Sequence, residues 1–132
     1  LQDSLSQDSS KITLVNFYAT WCRPCVREIP DLIALQKKYP GKLRLMMVSI
    51  DDRQVVEAVL PDFLVKQNMQ FPTWFAYGDT PEANQLITSL YPQWNSSIPL
   101  SLLYDARGNL VQVITGQINP AQMDQFIQTI EL

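Results

Sequence analysis

Cys22 and Cys25 are the only cysteines among 132 residues, and Arg23 and Pro24 alone separate them. The run before the pair, Ile12 to Tyr18 (ITLVNFY), is apolar, β-branched and aromatic, and it predicts a buried strand. The run after it places apolar residues at Val26, Ile29 and Ile33 and again at Leu32, Leu35 and Tyr39. That spacing predicts a helix. The two thiols therefore fall where a strand ends and a helix begins.

A helix N-terminus carries unsatisfied N–H groups and the positive end of the macrodipole, and both favour a thiolate over a thiol. The thiolate is the attacking species in disulfide exchange, and such positions lower a cysteine pKa from about 8.5 into a range of roughly 3.5–7.5. Cys22, at the start of the helix, gains most. Cys25, one turn further in, is the residue helical geometry tends to bury. The pair thus reads as an attacking Cys22 and a resolving Cys25. Three other readings compete. A structural staple gains little, because so short a loop removes little unfolded-state entropy. A structural zinc site needs four N/S ligands, and the chain has no histidine and no further cysteine. Two inert, reduced core cysteines are the third.

Asn16-Phe17-Tyr18-Ala19-Thr20-Trp21-Cys22-Arg23-Pro24-Cys25, followed by Glu28-Ile29-Pro30, resembles the thioredoxin superfamily. More narrowly it is similar to the TlpA/ResA branch of extracytoplasmic thiol–disulfide oxidoreductases. Trp directly before the first Cys, Pro directly before the second and Pro five residues beyond make the match specific. The resemblance implies an α/β thioredoxin fold, a central mixed β-sheet flanked by helices. It also implies a TlpA/ResA-type strand–helix insertion before a strand that opens on a cis-proline.

Composition narrows the class. The length fits one domain with a real core, and 46% apolar with 17% charged residues is globular usage. The net charge of −3 comes without a basic stripe, which disfavours nucleic-acid binding. No apolar run approaches the roughly 18 residues a membrane span requires. The chain begins at Leu1 and not Met, so it reads as processed or trimmed, and an upstream signal or anchor stays compatible with it. Residues 1–10, rich in Ser, Gln and Asp, predict a flexible N-terminal linker, and residues 11–132 a thioredoxin-like domain.

Along that domain, Pro30 predicts a kink in the first helix and Pro40-Gly41 its end. Leu43 to Ile50 reads as a strand buried on both faces, completing a right-handed βαβ unit. Asp51-Asp52 then offers a cap to a helix carrying Val55, Val59 and Phe63, which Pro61 divides in two. Phe71 to Tyr77 predicts a strand, and Thr80-Pro81 opens a helix to about Tyr91; this strand and helix are the insertion. After a loop at 92–97, Leu100–Tyr104 and Leu110–Thr115 form a hairpin about Asp105–Asn109. A last helix starts at Asn119-Pro120 and buries Met123, Phe126, Ile127 and Ile130.

Several residues border the expected site. By the resemblance, Pro99 is the cis-proline facing the cysteines, and Ile98 presents backbone groups to an extended substrate segment. Glu28 shares a helix face with Cys25. It is either a partly buried carboxylate that accepts the resolving thiol's proton, a role the resemblance also implies, or a solvated partner of Lys or Arg. Asn16 stands where thioredoxin itself has a titratable Asp, which leaves proton handling to Glu28 or water. Arg23 either favours the Cys22 thiolate or is a plain exposed cation, and Pro24 lies beside it between the sulfurs. Trp21 is either an aromatic lip over the sulfurs or core packing. Trp74, Tyr91 and Trp94 read first as core and second as the border of a substrate groove. Lys37-Lys38 reads as a solvated helix end.

The resemblance implies a reductase of disulfides in extracytoplasmic proteins, apocytochrome c or misoxidised proteins among them, with electrons from a membrane thiol donor. It places such a protein in the periplasm or on the outer face of the bacterial cytoplasmic membrane. No organic cofactor or metal is expected beyond the Cys22–Cys25 disulfide, and a monomer is. The rival readings are a disulfide donor of the same fold, a thioredoxin-like binding module without turnover, and a thiol peroxidase.

Overall fold

A computed structural model describes residues 11–130. The linker expected at 1–10 and the last two residues of the expected domain lie outside the described residues. Strand β1 (Ile12–Tyr18) leads into helix α1 (Arg23–Lys38), and β2 (Leu43–Ser49) returns parallel to β1. Helices α2 (Arg53–Ala58) and α3 (Leu60–Lys66), strand β3 (Trp74–Phe75) and helix α4 (Pro81–Leu90) follow. Strands β4 (Leu100–Tyr104) and β5 (Leu110–Thr115) and helix α5 (Pro120–Thr129) complete the chain. The sheet order is β3-β2-β1-β4-β5. The first three strands run parallel, and β4 and β5 add antiparallel.

β1 is central and wholly buried, so its side chains alternate between two cores. Ile12, Leu14 and Tyr18 face one core with Ile29, Leu32 and Leu35 of α1 and Met123 and Ile127 of α5. Val15 and Phe17 face the other with Met46, Val48, Leu100, Leu102 and Ile87 of α4. Asn16 shares the parity of Leu14 and Tyr18, which puts a polar side chain under α1.

Local chemistry sets the helix boundaries. α1 contains Pro30 without breaking there, and it ends at Tyr39, just before Pro40-Gly41. The helix around Pro61 does divide, at Val59, and Pro61 falls in the first turn of α3, where its missing donor costs nothing. Asn119 caps α5 by accepting from Gln122 N–H at 3.1 Å. Lys38, read above as solvated, pairs with Asp124 of α5, which also accepts from Tyr39.

Two expectations need correction. The strand expected over Phe71–Tyr77 is only Trp74–Phe75, paired to Val48 and Ser49. Pro72 cannot donate to a ladder, and after Ala76 the backbone turns, with Gly78 N–H on the Asp51 carbonyl at 3.0 Å. Gly78 is required there: a Cβ would stand 2.0 Å from the Ile50 carbonyl oxygen. The expected Asp51-Asp52 cap is not formed either. Asp52 holds the N-cap position of α2 without a side-chain bond, while Asp79 takes the Arg53 N–H at 3.1 Å. Asp51 is buried and bonded elsewhere.

Candidate active site

Tyr18 ends β1, and the turn Ala19-Thr20-Trp21 delivers Cys22 to the N-cap position of α1. Cys22 and Cys25 are joined as a disulfide with Cα atoms 5.3 Å apart. The Cys25 N–H, one of the helix's unsatisfied donors, points at Cys22 Sγ at 3.4 Å. Cys22 is 6% exposed and Cys25 is fully buried, so an incoming sulfur can reach only the first.

Ile98-Pro99 is a cis peptide bond, as expected, and the Ile98 carbonyl oxygen lies 4.0 Å from Cys22 Sγ. The sequence-distant segment at 98–99 and the cysteine turn thus meet at one end of the sheet, where β4 begins and β1 ends. Pro24 is half-buried between the cysteines and Arg23 is exposed. Trp21 is 67% exposed, which removes its core-packing reading. Trp74, Tyr91 and Trp94 pack against the second core. Trp94 also joins Trp21, Ile98 and Ile87 around a cavity of about 280 Å³ beside the disulfide.

Glu28 is buried, which rules out its solvated reading. Its Oε1 accepts from Asn16 Nδ2 at 2.9 Å and its Oε2 from Ile118 N–H at 2.8 Å. Burial pushes its pKa above the ordinary 4.5; the Ile118 and Asn16 bonds oppose the rise, and the Asp31 charge adds to it. Asn16 Nδ2 also donates to Ser101 Oγ at 2.9 Å. A buried polar chain therefore crosses from α1 through β1 to β4, one helical turn beyond Cys25.

A second buried carboxylate escaped sequence reasoning. Asp51 accepts from Thr20 N–H at 3.0 Å, Thr20 Oγ1 at 2.9 Å and Ser49 Oγ at 2.5 Å. It fastens the turn before Cys22 to the end of β2. Burial and then the Asp51 charge push the Tyr18 pKa upward. The available signal was two adjacent acids at the carboxyl end of a largely apolar strand, where the site of an open α/β sheet lies. Among the described residues, no group of acidic or sulfur side chains is arranged to hold a metal ion.

The thioredoxin family model matches residues 2–90. The thioredoxin-like protein YneN of Bacillus subtilis is 27% identical over 94% of this chain and 68% of its own length. A thiol-disulfide oxidoreductase ResA of Bacillus cereus is 26% identical over 91% of this chain, which spans 64% of that protein. A thioredoxin-family thiol:disulfide interchange protein from Chlorobium tepidum superposes with a TM-score of 0.77 at 28% identity, covering 98% of this chain and 83% of that one. StoA from Bacillus subtilis shares the fold, with a TM-score of 0.66 at 22% identity over 91% of this chain and 84% of that one. A helix-mouth cysteine pair, a cis-proline opposite it and these likenesses converge: the chain belongs to the thioredoxin family, and it is a protein thiol–disulfide oxidoreductase.

Proposed function

We propose that the protein reduces disulfides in extracytoplasmic proteins, apocytochrome c or misoxidised chains among them, and that a membrane thiol donor returns it to the dithiol form. The observation that carries this reading is the Cys25 N–H aimed at the one accessible sulfur, Cys22 Sγ. In the reduced protein the same donor and the helix dipole hold Cys22 as a thiolate. That thiolate attacks a substrate disulfide, forming a mixed disulfide and releasing the other substrate sulfur as a thiolate. Cys25 then loses its proton to Glu28 and attacks Cys22 Sγ. The Cys22–Cys25 bond closes, the second substrate sulfur leaves, and two electrons have passed to the substrate.

Glu28 suits the second step because its raised pKa makes it a better base near neutral pH than an ordinary carboxylate. Ile98 presents its carbonyl to an extended substrate segment, and Trp21 and Pro24 shield the sulfurs. Arg23 adds positive charge next to Cys22, which favours the thiolate and moves the disulfide toward a more oxidising potential. The ResA relatives support an extracytoplasmic setting, and no described helix is long and apolar enough to cross a membrane.

Trapping with Cys25→Ser tests the proposal. The variant should accumulate mixed disulfides through Cys22 with extracytoplasmic proteins, and the wild-type dithiol should reduce insulin. Absence of both would leave a binding module. A strongly oxidising potential in a glutathione titration would reverse the direction to disulfide donation.

A further inference from the structure

Arg23 and Arg27 stand four residues apart at the start of α1, stacked on one exposed face. The positive end of the helix dipole disfavours cations there, and like charges at this spacing repel. No acidic residue occupies the first turn, and neither arginine forms an ion pair among the described residues. Asp31, one turn beyond Arg27, does not close on it. Asp51, behind Thr20, is buried and taken up by Thr20 and Ser49. Apart from the support Arg23 gives the Cys22 thiolate, local structure thus gains nothing from two cations at this place, and Arg27 is left without a role. They also run against the net charge of −3. Between them lies a concavity of about 320 Å³, walled by Thr20, the exposed Trp21 and the half-buried Val26. Cys22 sits in the turn that forms its edge.

We propose that this surface docks an acidic segment flanking the cysteine of the partner's disulfide. A chain linked to Cys22 in the mixed disulfide has to leave the sulfur across neighbouring surface, and on this side it meets Trp21 and Val26 as an apolar floor. An aspartate or glutamate side chain near the partner cysteine then reaches the two guanidinium groups, which offer forked donors suited to a carboxylate. The pair also steers acidic partners toward the sulfur, an effect that weakens as salt rises. This inference rests on the disulfide-exchange reading for the role of the docked segment, although docking itself does not require turnover.

The test uses the full chain and a set of synthetic peptides that differ only in the residues flanking one disulfide: glutamate, glutamine or lysine. A parallel dye-labelled set carries serine in place of cysteine, so that anisotropy reads binding without chemistry. The glutamate peptide should exceed the lysine peptide about tenfold in kcat/KM and in affinity at low ionic strength. That ratio should shrink with salt and fall toward one in Arg27→Glu, an exposed change that places an acid where the helix dipole favours one and cancels the Arg23 charge. Equal values across the peptides in both measurements, unaltered by Arg27→Glu, overturn the docking site while leaving disulfide reduction intact. A binding preference for the glutamate peptide with no reduction of any peptide supports the surface and refutes the reductase reading. Sedimentation with phosphatidylglycerol vesicles and no preference among peptides assigns the surface to lipid and overturns the proposal.

Discussion

The side-chain amide of Asn16 donates to Glu28 Oε1 at 2.9 Å, so the residue under the first turns of α1 is a neutral donor to a buried carboxylate. Asn16 cannot exchange a proton at accessible pH. Its two N–H groups are spent on Glu28 and Ser101, and its Oδ1 is buried without a partner among the described residues. The arrangement makes Glu28 the titrating group of this layer and leaves Asn16 to orient it.

Glu28→Gln should slow turnover about 100-fold, the typical weight of a positioned general base. It should also reshape the acid limb of the pH–rate profile, leaving only the part set by protonation of Cys22. In the wild type, the rate should fall as pH drops through a midpoint above the ordinary 4.5, because only the ionised carboxylate accepts the Cys25 proton. Insulin or peptide-disulfide reduction across pH measures both effects. An unchanged profile would take Glu28 out of the mechanism.

The same shift has a stability sign. Glu28 holds its proton in the folded state to a higher pH than in the unfolded chain. Between 4.5 and its raised folded value the native state therefore binds more protons, and stability falls as pH rises through that window. Below 4.5 this contribution is absent, and above the folded value the loss is complete. Urea unfolding of wild type and Glu28→Gln at several pH values should give a difference curve with this slope; a flat curve would contradict it.

Asn16→Asp should destabilise the protein at neutral pH by about 3 kcal/mol, since it sets a second carboxylate against Glu28 and deletes two buried donors. Part of that loss should return on acidification, as the two carboxylates come to share a proton. Thermal melts at neutral and mildly acid pH measure it, and an equal loss at both would mean the two groups do not interact.

Asp51→Ala should cost about 2–3 kcal/mol, because it leaves the Thr20 N–H and two hydroxyls without their charged acceptor. It should also loosen the turn that carries Cys22, seen as a reduction rate that falls more than Cys25 accessibility changes. Asp51→Asn should recover part of both. Urea unfolding and insulin reduction report the two effects separately.

Much of this was legible in the chain itself. β1 and the hairpin strands β4 and β5 carry uninterrupted strand chemistry and lie within the runs predicted for them. Pro24, Pro61, Pro81 and Pro120 each fall in the first turn of a helix, as a missing donor allows. Other features depended on contacts far apart in sequence. Glu28 looked like any helical acid until Asn16 and Ile118, 12 and 90 residues away, closed over it. Asp51 had a cap's identity but stands one residue before the N-cap, and the Thr20 N–H in the turn after β1 binds it instead. β3 shrank because Pro72 cannot donate and because the backbone turns after Ala76 to bring Gly78 against Ile50, a close approach that no local pattern reveals.

The account as a whole turns on Cys22 being an ionised, accessible sulfur at the mouth of α1, with Cys25 buried behind it. Alkylation of the fully reduced protein across pH, with each cysteine quantified by mass spectrometry, tests this directly. The expected result is a Cys22 midpoint well below the ordinary value of about 8.5 and a Cys25 that reacts far more slowly at every pH. Two cysteines that react at similar rates, both with midpoints near that ordinary value, would contradict it.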